Sequence, residues 1–190
     1  MTSAHDLHLG VAEAGKASAV KGDHKEALRH YREALKLAVS SKAPEVFFRH
    51  YTQCVLESLE LTDSFPEVIE FCESADAHYR ETGTPTEFHR KDHGSILERL
   101  GVVLLKAGET DRAKEMLATA IATAGKAQVP LAEQLHGWLS RGMMADKRRI
   151  GEAQAKFGYF TVRPDQVDER RARPLPPVDA NDKAAAPLGL

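Results

Sequence analysis

A spacing of five small or apolar residues occurs twice in the chain and limits the folds that are open to it. The first copy runs at offsets of 0, 7, 12, 16 and 19 residues through Gly15, Gly22, Ala27, Tyr31 and Ala34. The second copy has the same offsets and consists of Gly101, Gly108, Ala113, Leu117 and Ala120. A weaker copy between them consists of Leu56, Asp63, Val68, Cys72 and Ala75. One spacing that recurs in this way predicts structural units that repeat along the chain.

Each offset has a physical reason in a pair of antiparallel helices. The first glycine lies inside the first helix, where Gly costs about 1 kcal/mol relative to Ala, so a close crossing of the second helix would explain it. The second glycine ends that helix, because it adopts left-handed backbone geometry at little cost. Alanines on the second helix let the first one approach, and Tyr31, Cys72 or Leu117 fills the space between them. The pattern predicts helix hairpins that bury each other's faces in a solenoid.

The rest of the chain also has the periodicity of helices. Apolar residues recur at spacings of three and four, and Val, Ile and Thr do not alternate as they do in strands. The predicted fold class is therefore all-α. Capping pairs such as Asp23 with Glu26 and Thr84 with Glu87 place the helix starts. The predicted helices are 5–21, 24–40, 44–61, 65–82, 86–107, 110–126 and 130–147, with a shorter one at 150–158.

The segments from Gly15 to Leu35 and from Leu97 to Ala120 resemble the helix-pair signature of the tetratricopeptide repeat family. The resemblance covers about residues 5–126, and the intervals of 41 and 45 residues between copies indicate helices longer than is standard in the family. It implies a right-handed solenoid of about three helix pairs with a C-terminal capping helix, in a domain spanning residues 1–160. It also implies a concave groove, lined by the first helix of each pair, that binds a peptide or helix of a partner protein.

Counting from the glycine anchors gives the groove-facing positions of these first helices. The predicted partner-binding residues are Leu9, Ala12, Lys16, Val20, His50, Gln53, Glu57, Glu60, Glu98, Val102, Leu105 and Lys106. The ends of this face are apolar and its middle is acidic, which suits a segment with apolar anchors and basic groups. The predicted function is a non-enzymatic adaptor or scaffold. The alternative is a chaperone or regulatory protein for a secreted or signalling client.

The composition changes after residue 160. Five of the nine prolines lie between Pro164 and Pro187, and large apolar residues are few. Such a stretch buries too little apolar surface to order itself. The sequence predicts a Pro-rich extended or disordered tail over residues 161–190, which is either a partner-binding segment or a linker.

Motifs for catalysis or metal binding are weak. His89 and His93 are four residues apart on a predicted helix, a spacing that can bind zinc. However, Arg90 stands where the metalloprotease motif has glutamate, and no third ligand is near in sequence. Cys54 and Cys72 are predicted to be small core residues. No catalytic residue, cofactor or metal is therefore predicted, and a metal-dependent enzyme is the least favoured hypothesis.

Charge and hydropathy favour a protein partner over a nucleic acid or a membrane. The chain of 190 residues carries 26 basic and 28 acidic residues, for a formal net charge of −2. Its basic patch, which consists of Lys147 to Arg149 with Arg141 and Lys156, is predicted to be a solvated surface. No apolar run reaches the roughly 18 residues of a membrane span, and the N-terminus lacks the pattern of a secretory signal. The expected location is the cytoplasm, and homo-oligomers through an uncovered end stay open as an alternative.

Overall fold

The computed structural model of the protein describes residues 4–177, and helices are the only regular secondary structure in that range. The helices are α1 Ala4–Val20, α2 His24–Ser40, α3 Glu45–Leu61, α4 Phe65–Thr82, α5 Glu87–Lys106, α6 Thr110–Ala124, α7 Pro130–Ser140 and α8 Lys147–Lys156, followed by a 3-10 turn at Pro164–Gln166. The all-α prediction is confirmed. The described residues contain eight α-helices, one more than three pairs and a capping helix would give.

Capping residues explain where the helices begin. The side chain of Asp23 accepts a hydrogen bond from the backbone N–H of Glu26 at 3.0 Å, as predicted for α2. The predicted capping residue of α5, Thr84, is wrong, because Thr86 caps this helix and its Oγ1 accepts from the N–H of His89 at 3.3 Å. Thr86 has extended backbone geometry, so α5 begins two residues after Pro85.

The prediction of one helix over residues 130–147 is also wrong. In the structure, α7 ends at Ser140 and a loop follows it. Gly142 adopts a left-handed φ of 69°, which ends α7 after Ser140. Helix α8 then begins at Lys147, where Asp146 caps it by accepting from the N–H of Arg149 at 2.8 Å. The sequence contains both signals, a helix-stopping glycine and a capping aspartate.

The described chain forms two compact units. Unit 1 consists of residues 4–55 and 163–177, and unit 2 is Leu56–Val162. The predicted domain boundary lies at residue 160, whereas unit 1 takes up the chain again at residue 163. The difference arises because residues 163–177, which form turns and irregular structure, are hydrogen-bonded to α1 and α2, and these contacts make them part of unit 1. Residues 161–177 contain the 3-10 turn at Pro164–Gln166 and a further turn in which the N–H of Arg171 donates to the carbonyl of Asp168 at 3.0 Å. Residues 178–190 lie outside the described range.

In unit 1, α1 and α2 cross closely at the predicted glycine. A Cβ added to Gly15 would lie 2.7 Å from Cε1 of Tyr31 and 3.0 Å from Cβ of His30. Ala27 and Ala34 are fully buried on the same face of α2. The predicted close crossing at Gly15, filled by Tyr31, is therefore confirmed.

In unit 2, α5 packs against α4, α6, α7 and α8. A Cβ on Gly101 would lie 2.7 Å from Cγ of Leu117 and 3.2 Å from its backbone nitrogen. Ala113 and Ala120 are fully buried beside it. The second copy of the spacing thus makes the same kind of helix crossing as the first.

The three copies of the spacing also share the backbone turn at their second position. Gly22 and Gly108 have φ angles of 84° and 88°, and Asp63 of the weaker copy has a φ of 58°. Aspartate is one of the few non-glycine residues that visits this region routinely. The match supports the register assigned to the weaker copy, although both of its glycines are replaced.

Replacing Gly101 by leucine is expected to lower the free energy of unfolding by about 1–3 kcal/mol, because the added side chain overpacks the crossing at Leu117. Chemical denaturation monitored by circular dichroism measures this change. The matched control is Gly137→Ala in α7, where an added Cβ meets nothing within 4 Å. That variant should gain roughly 0.5–1 kcal/mol from helix propensity. Equal effects of the two substitutions would contradict the assigned crossing.

Candidate functional site

Unit 1 contains a pocket between α1 and α3 of about 230 Å³. We call it the α1–α3 pocket. Each helix contributes residues at helical spacing, so that one face of each lines the pocket. The lining residues are Leu9, Ala12, Glu13, Lys16, Val46, Phe47, His50 and Tyr51. The walls are therefore mostly apolar, with a few polar groups among them.

Four of the predicted partner-binding residues meet at this pocket. Leu9, Ala12 and Lys16 come from α1, and His50 comes from α3. The remaining predicted residue of α1, Val20, does not line the pocket, and neither does Gln53 of α3. The pocket therefore brings together three of the four predicted residues of α1 and one of those of α3.

Charges at the α1–α3 pocket compensate one another. Lys16 Nζ lies 2.6 Å from Glu13 Oε2, and Glu13 Oε1 accepts the backbone N–H of Asp168 at 2.7 Å. Burial lowers the pKa of His50, Lys16 lowers it further, and Glu13 opposes both. The imidazole of His50 is therefore neutral at pH 7, and the pocket presents hydrogen-bonding groups without an uncompensated charge.

A buried histidine supports the pocket and was not singled out by the sequence. His8 is buried, and a hydrogen bond of 2.6 Å joins its Nδ1 to the hydroxyl of Tyr51. The ring of Phe47 packs edge-on against it, with ring centroids 5.1 Å apart. These contacts fix two of the aromatic walls. The sequence feature that could have indicated a role for His8 is its distance of four residues from Ala12, because this spacing places both residues on one face of α1.

In unit 2, other predicted residues enter a buried cluster of charged and polar groups around Glu60. We call it the Glu60 cluster, and it consists of Glu57, Glu60, Arg99, Lys106, Gln154 and Tyr159. The carboxylate of Glu60 accepts from Arg99 Nη1 at 3.0 Å and from Lys106 Nζ at 2.8 Å. It also accepts from Gln154 Nε2 at 2.7 Å and from the Tyr159 hydroxyl at 2.9 Å. Four donors occupy the acceptor sites of one carboxylate.

The segment after α8 covers this cluster. Both oxygens of Glu57 accept backbone N–H groups, from Thr161 at 2.7 Å and from Val162 at 3.0 Å. The guanidinium of Arg99 lies over the ring of Tyr159, 4.7 Å from its centroid. Two carboxylates and two cations make the cluster formally neutral. The hydrogen bonds described above satisfy both carboxylates within unit 2.

The Glu60 cluster corrects the prediction of an open acidic surface. Glu57 and Glu60 are 2% and 1% exposed, so a partner cannot reach them in this structure. Val102 and Leu105 are buried as well. The reason is that residues 159–162 of the same chain lie on this face, which helical periodicity cannot predict.

The predicted residue Glu98 also has a structural partner. Its Oε2 accepts the N–H of Ala132 at 2.8 Å, near the start of α7. Burial raises the pKa of this carboxyl, and the hydrogen bond from Ala132 and the charge of Arg99 oppose the shift. Glu98 thus fixes α7 on α5.

The two histidines considered as metal ligands have different partners. His93 Nε2 lies 2.6 Å from Asp76 Oδ1, and the ring of Tyr79 stacks on that imidazole at 4.9 Å. His89 Nδ1 lies 2.6 Å from the hydroxyl of Thr86. Within residues 4–177, no group of three or more His, Cys, Asp or Glu side chains is arranged to hold a metal ion.

The basic patch makes contacts with other residues of unit 2. Lys147 Nζ lies 2.7 Å from Asp63 Oδ2, and Arg148 pairs with Glu152 of its own helix at 3.2 Å. The guanidinium of Arg149 lies over the ring of Trp138, 4.2 Å from its centroid. These cations therefore have acidic or aromatic neighbours within the chain.

Comparison of the chain with protein-family models, with curated proteins and with solved structures finds no match. The resemblance to tetratricopeptide repeats stays a prediction that depends on the spacing of the residues quoted above. Among the described helices, none has both the length and the apolar character needed to cross a membrane.

Proposed function

We propose that the protein is a non-enzymatic interaction adaptor built from tetratricopeptide-like helix pairs, and that it binds a segment of a partner protein at the α1–α3 pocket. The observation that carries the proposal is the meeting of Leu9, Lys16 and His50 at one open pocket, which the buried Ala12 also lines. These residues lie at positions where the resemblance to tetratricopeptide repeats implies a partner-binding groove.

The size and lining of the pocket favour a side chain of a partner as the ligand. Pockets for small molecules usually have volumes of about 300–1,000 Å³, and this pocket has about 230 Å³. Its apolar walls suit an aliphatic or aromatic anchor, and such anchors dominate the affinity of many protein interfaces. The neutral His50 and the paired Lys16 can hydrogen-bond to the backbone beside that anchor.

Val46→Asp in the full chain tests this proposal, since Val46 lies at the pocket and is 63% exposed. A charge at the rim should weaken partner binding at least about tenfold, equivalent to about 1.4 kcal/mol, because the apolar anchor would be buried beside a carboxylate. The matched control is Val39→Asp in α2, which is 65% exposed and does not line the pocket. Circular dichroism should show both variants folded.

The measurement has two stages. Quantitative affinity capture first selects proteins that the unsubstituted chain and Val39→Asp retain and that Val46→Asp loses. Calorimetry with the purified candidate then gives the ratio of dissociation constants. If no protein is lost selectively with Val46→Asp, or if the two variants bind the candidate equally, the proposed site is wrong.

A further inference from the structure

We infer that α1 and α2 carry a second binding site, for a non-helical, turn-containing peptide segment, which the tail of this chain occupies in the structure and which a partner segment of the same conformation can take over. We call it the tail site, and its contact residues are Gly10, Glu13, Lys16, Arg29 and His30. The occupant is the segment 163–177 of the same chain. The inference rests on the proposed function, because it names a further surface for a partner segment, which shares Glu13 and Lys16 with the α1–α3 pocket.

The tail site holds its occupant mainly through the backbone of that occupant. Three backbone N–H groups donate to it: that of Asp168 to Glu13 Oε1 at 2.7 Å, that of Arg173 to the carbonyl of Gly10 at 2.8 Å, and that of Leu175 to His30 Nε2 at 3.0 Å. Main-chain hydrogen bonds of this kind supply affinity without demanding one particular sequence. Another segment in the same conformation can make them too.

His30 is set up as an acceptor for such a backbone. Its Nδ1 lies 2.9 Å from the carbonyl oxygen of Glu26, which can only accept, so Nδ1 carries the hydrogen. The lone pair of Nε2 is then free to accept the N–H of Leu175. Arg29 Nη2 approaches the carbonyl oxygen of Leu175 at 3.4 Å. Both hydrogen-bonding groups of this tail residue are thus engaged by α2.

Gly10 explains how the backbones come so close. A Cβ at this position would lie 2.7 Å from Cδ and Cγ of Arg173 and 3.0 Å from the carbonyl oxygen of Arg171. Gly inside a helix costs about 1 kcal/mol relative to Ala, and the approach of the tail gives a reason for it here. Gly10→Ala is therefore expected to favour helix α1 while it blocks the tail site.

One leucine anchors the occupant. Leu175 packs against the buried cluster that includes Val11, Ala34, Ala38 and Tyr51. Most other residues of the segment 163–177 are exposed. Segments with few buried apolar contacts open at low free-energy cost, so the tail can leave the site without unfolding the helices. The tail site thus selects a segment of the tail's turn-containing conformation with one leucine-like anchor and available N–H groups.

A tail joined to its own site competes with any added peptide at an effective concentration on the order of millimolar. Weakening the tail must therefore raise the apparent affinity for a peptide in solution. The probe is a fluorescent peptide with the sequence of residues 163–177, and its binding to the full chain is measured by anisotropy. No partner protein is needed, so the result is independent of the Val46 experiment.

The peptide should bind the full-length variant Leu175→Asp at least about tenfold more tightly than the unsubstituted chain, because the competing tail has lost its anchor. Arg173→Pro, which removes the N–H donated to Gly10, should act in the same direction. The matched control is Arg170→Ala, whose side chain is 93% exposed and which should bind like the unsubstituted chain. Adding Gly10→Ala to Leu175→Asp should abolish binding.

Hydrogen exchange reports the tail directly. The amides of Asp168, Arg173 and Leu175 should be protected in the unsubstituted chain and should exchange rapidly in Leu175→Asp. Equal peptide affinity for the unsubstituted chain and Leu175→Asp would overturn the inference, as would no binding to either. Binding that survives Gly10→Ala would place the peptide elsewhere and would overturn it as well.

Discussion

Arg99→Met is expected to lower the free energy of unfolding by about 3–5 kcal/mol, because it removes one of the two cations that neutralise the buried carboxylates of the Glu60 cluster. Arg99 is buried in the Glu60 cluster, with Nη1 3.0 Å from Glu60 and Nη2 3.9 Å from Glu57. Burial alone would lower the pKa of this guanidinium, but Tyr159, Glu60 and Glu57 outweigh it and raise that pKa. Urea denaturation of the two chains measures the loss.

A matched control separates burial from the simple loss of an ion pair. Arg112 contacts two carboxylates as well, those of Glu73 and Glu109, but its side chain is 50% exposed. Arg112→Met should leave stability nearly unchanged, because exposed ion pairs contribute little. Similar losses for Arg99→Met and Arg112→Met would show that the Glu60 cluster is not desolvated as the structure describes.

A double-mutant cycle tests the assignment to Glu60. Glu60→Gln removes the charge that Arg99 neutralises while it keeps the shape of the side chain. In the Glu60→Gln background, Arg99→Met should lower the free energy of unfolding by less than it does in the unsubstituted chain. The reason is that the carboxylate charge of Glu60, which Arg99 neutralises, is no longer present. Additive effects would mean that the two residues do not interact.

The local pattern of the sequence predicted the helix pairs well, because they depend on neighbours along one helix. Gly15 and Gly101 lie at close crossings, where Tyr31 and Leu117 fill the space beside them. The spacing of α1 also placed Leu9, Ala12 and Lys16 at one pocket. Helix propensity and the periodicity of apolar residues depend on neighbours within one or two helical turns, so a single sequence is enough to read them.

Contacts between distant segments are what the sequence did not predict. Glu57 and Glu60 look like exposed acids by helical spacing, yet their partners at Tyr159, Thr161 and Val162 are about 100 residues away. The return of these residues depends on how α7 and α8 turn, and no periodic signal specifies that. Composition likewise suggested a tail with too few apolar residues to order, whereas backbone hydrogen bonds and Leu175 hold residues 163–177 on unit 1.

Cys72 is expected to make the protein sensitive to alkali. Burial raises the pKa of its thiol from 9.0 to about 12, with Arg99 opposing the shift and Glu60 and Glu73 adding to it. In the unfolded chain the thiol ionises above about pH 9, whereas in the folded chain it stays neutral until about pH 12. The unfolded state therefore loses a proton first, and stability falls as the pH rises through this window by about 1.4 kcal/mol per pH unit.

Cys72→Ala removes this titration, so its stability should depend less on pH. Between about pH 8 and about pH 10.5, the unsubstituted chain should lose about 2 kcal/mol more than Cys72→Ala does. Denaturation in urea at the two pH values, with a reductant that contains no thiol, measures the difference. Val68→Ala is the matched control, because it truncates another fully buried residue of α4 and keeps the thiol. Val68→Ala should lose stability as the pH rises to the same extent as the unsubstituted chain. An equal loss in Cys72→Ala would mean that Cys72 is not buried as a neutral thiol.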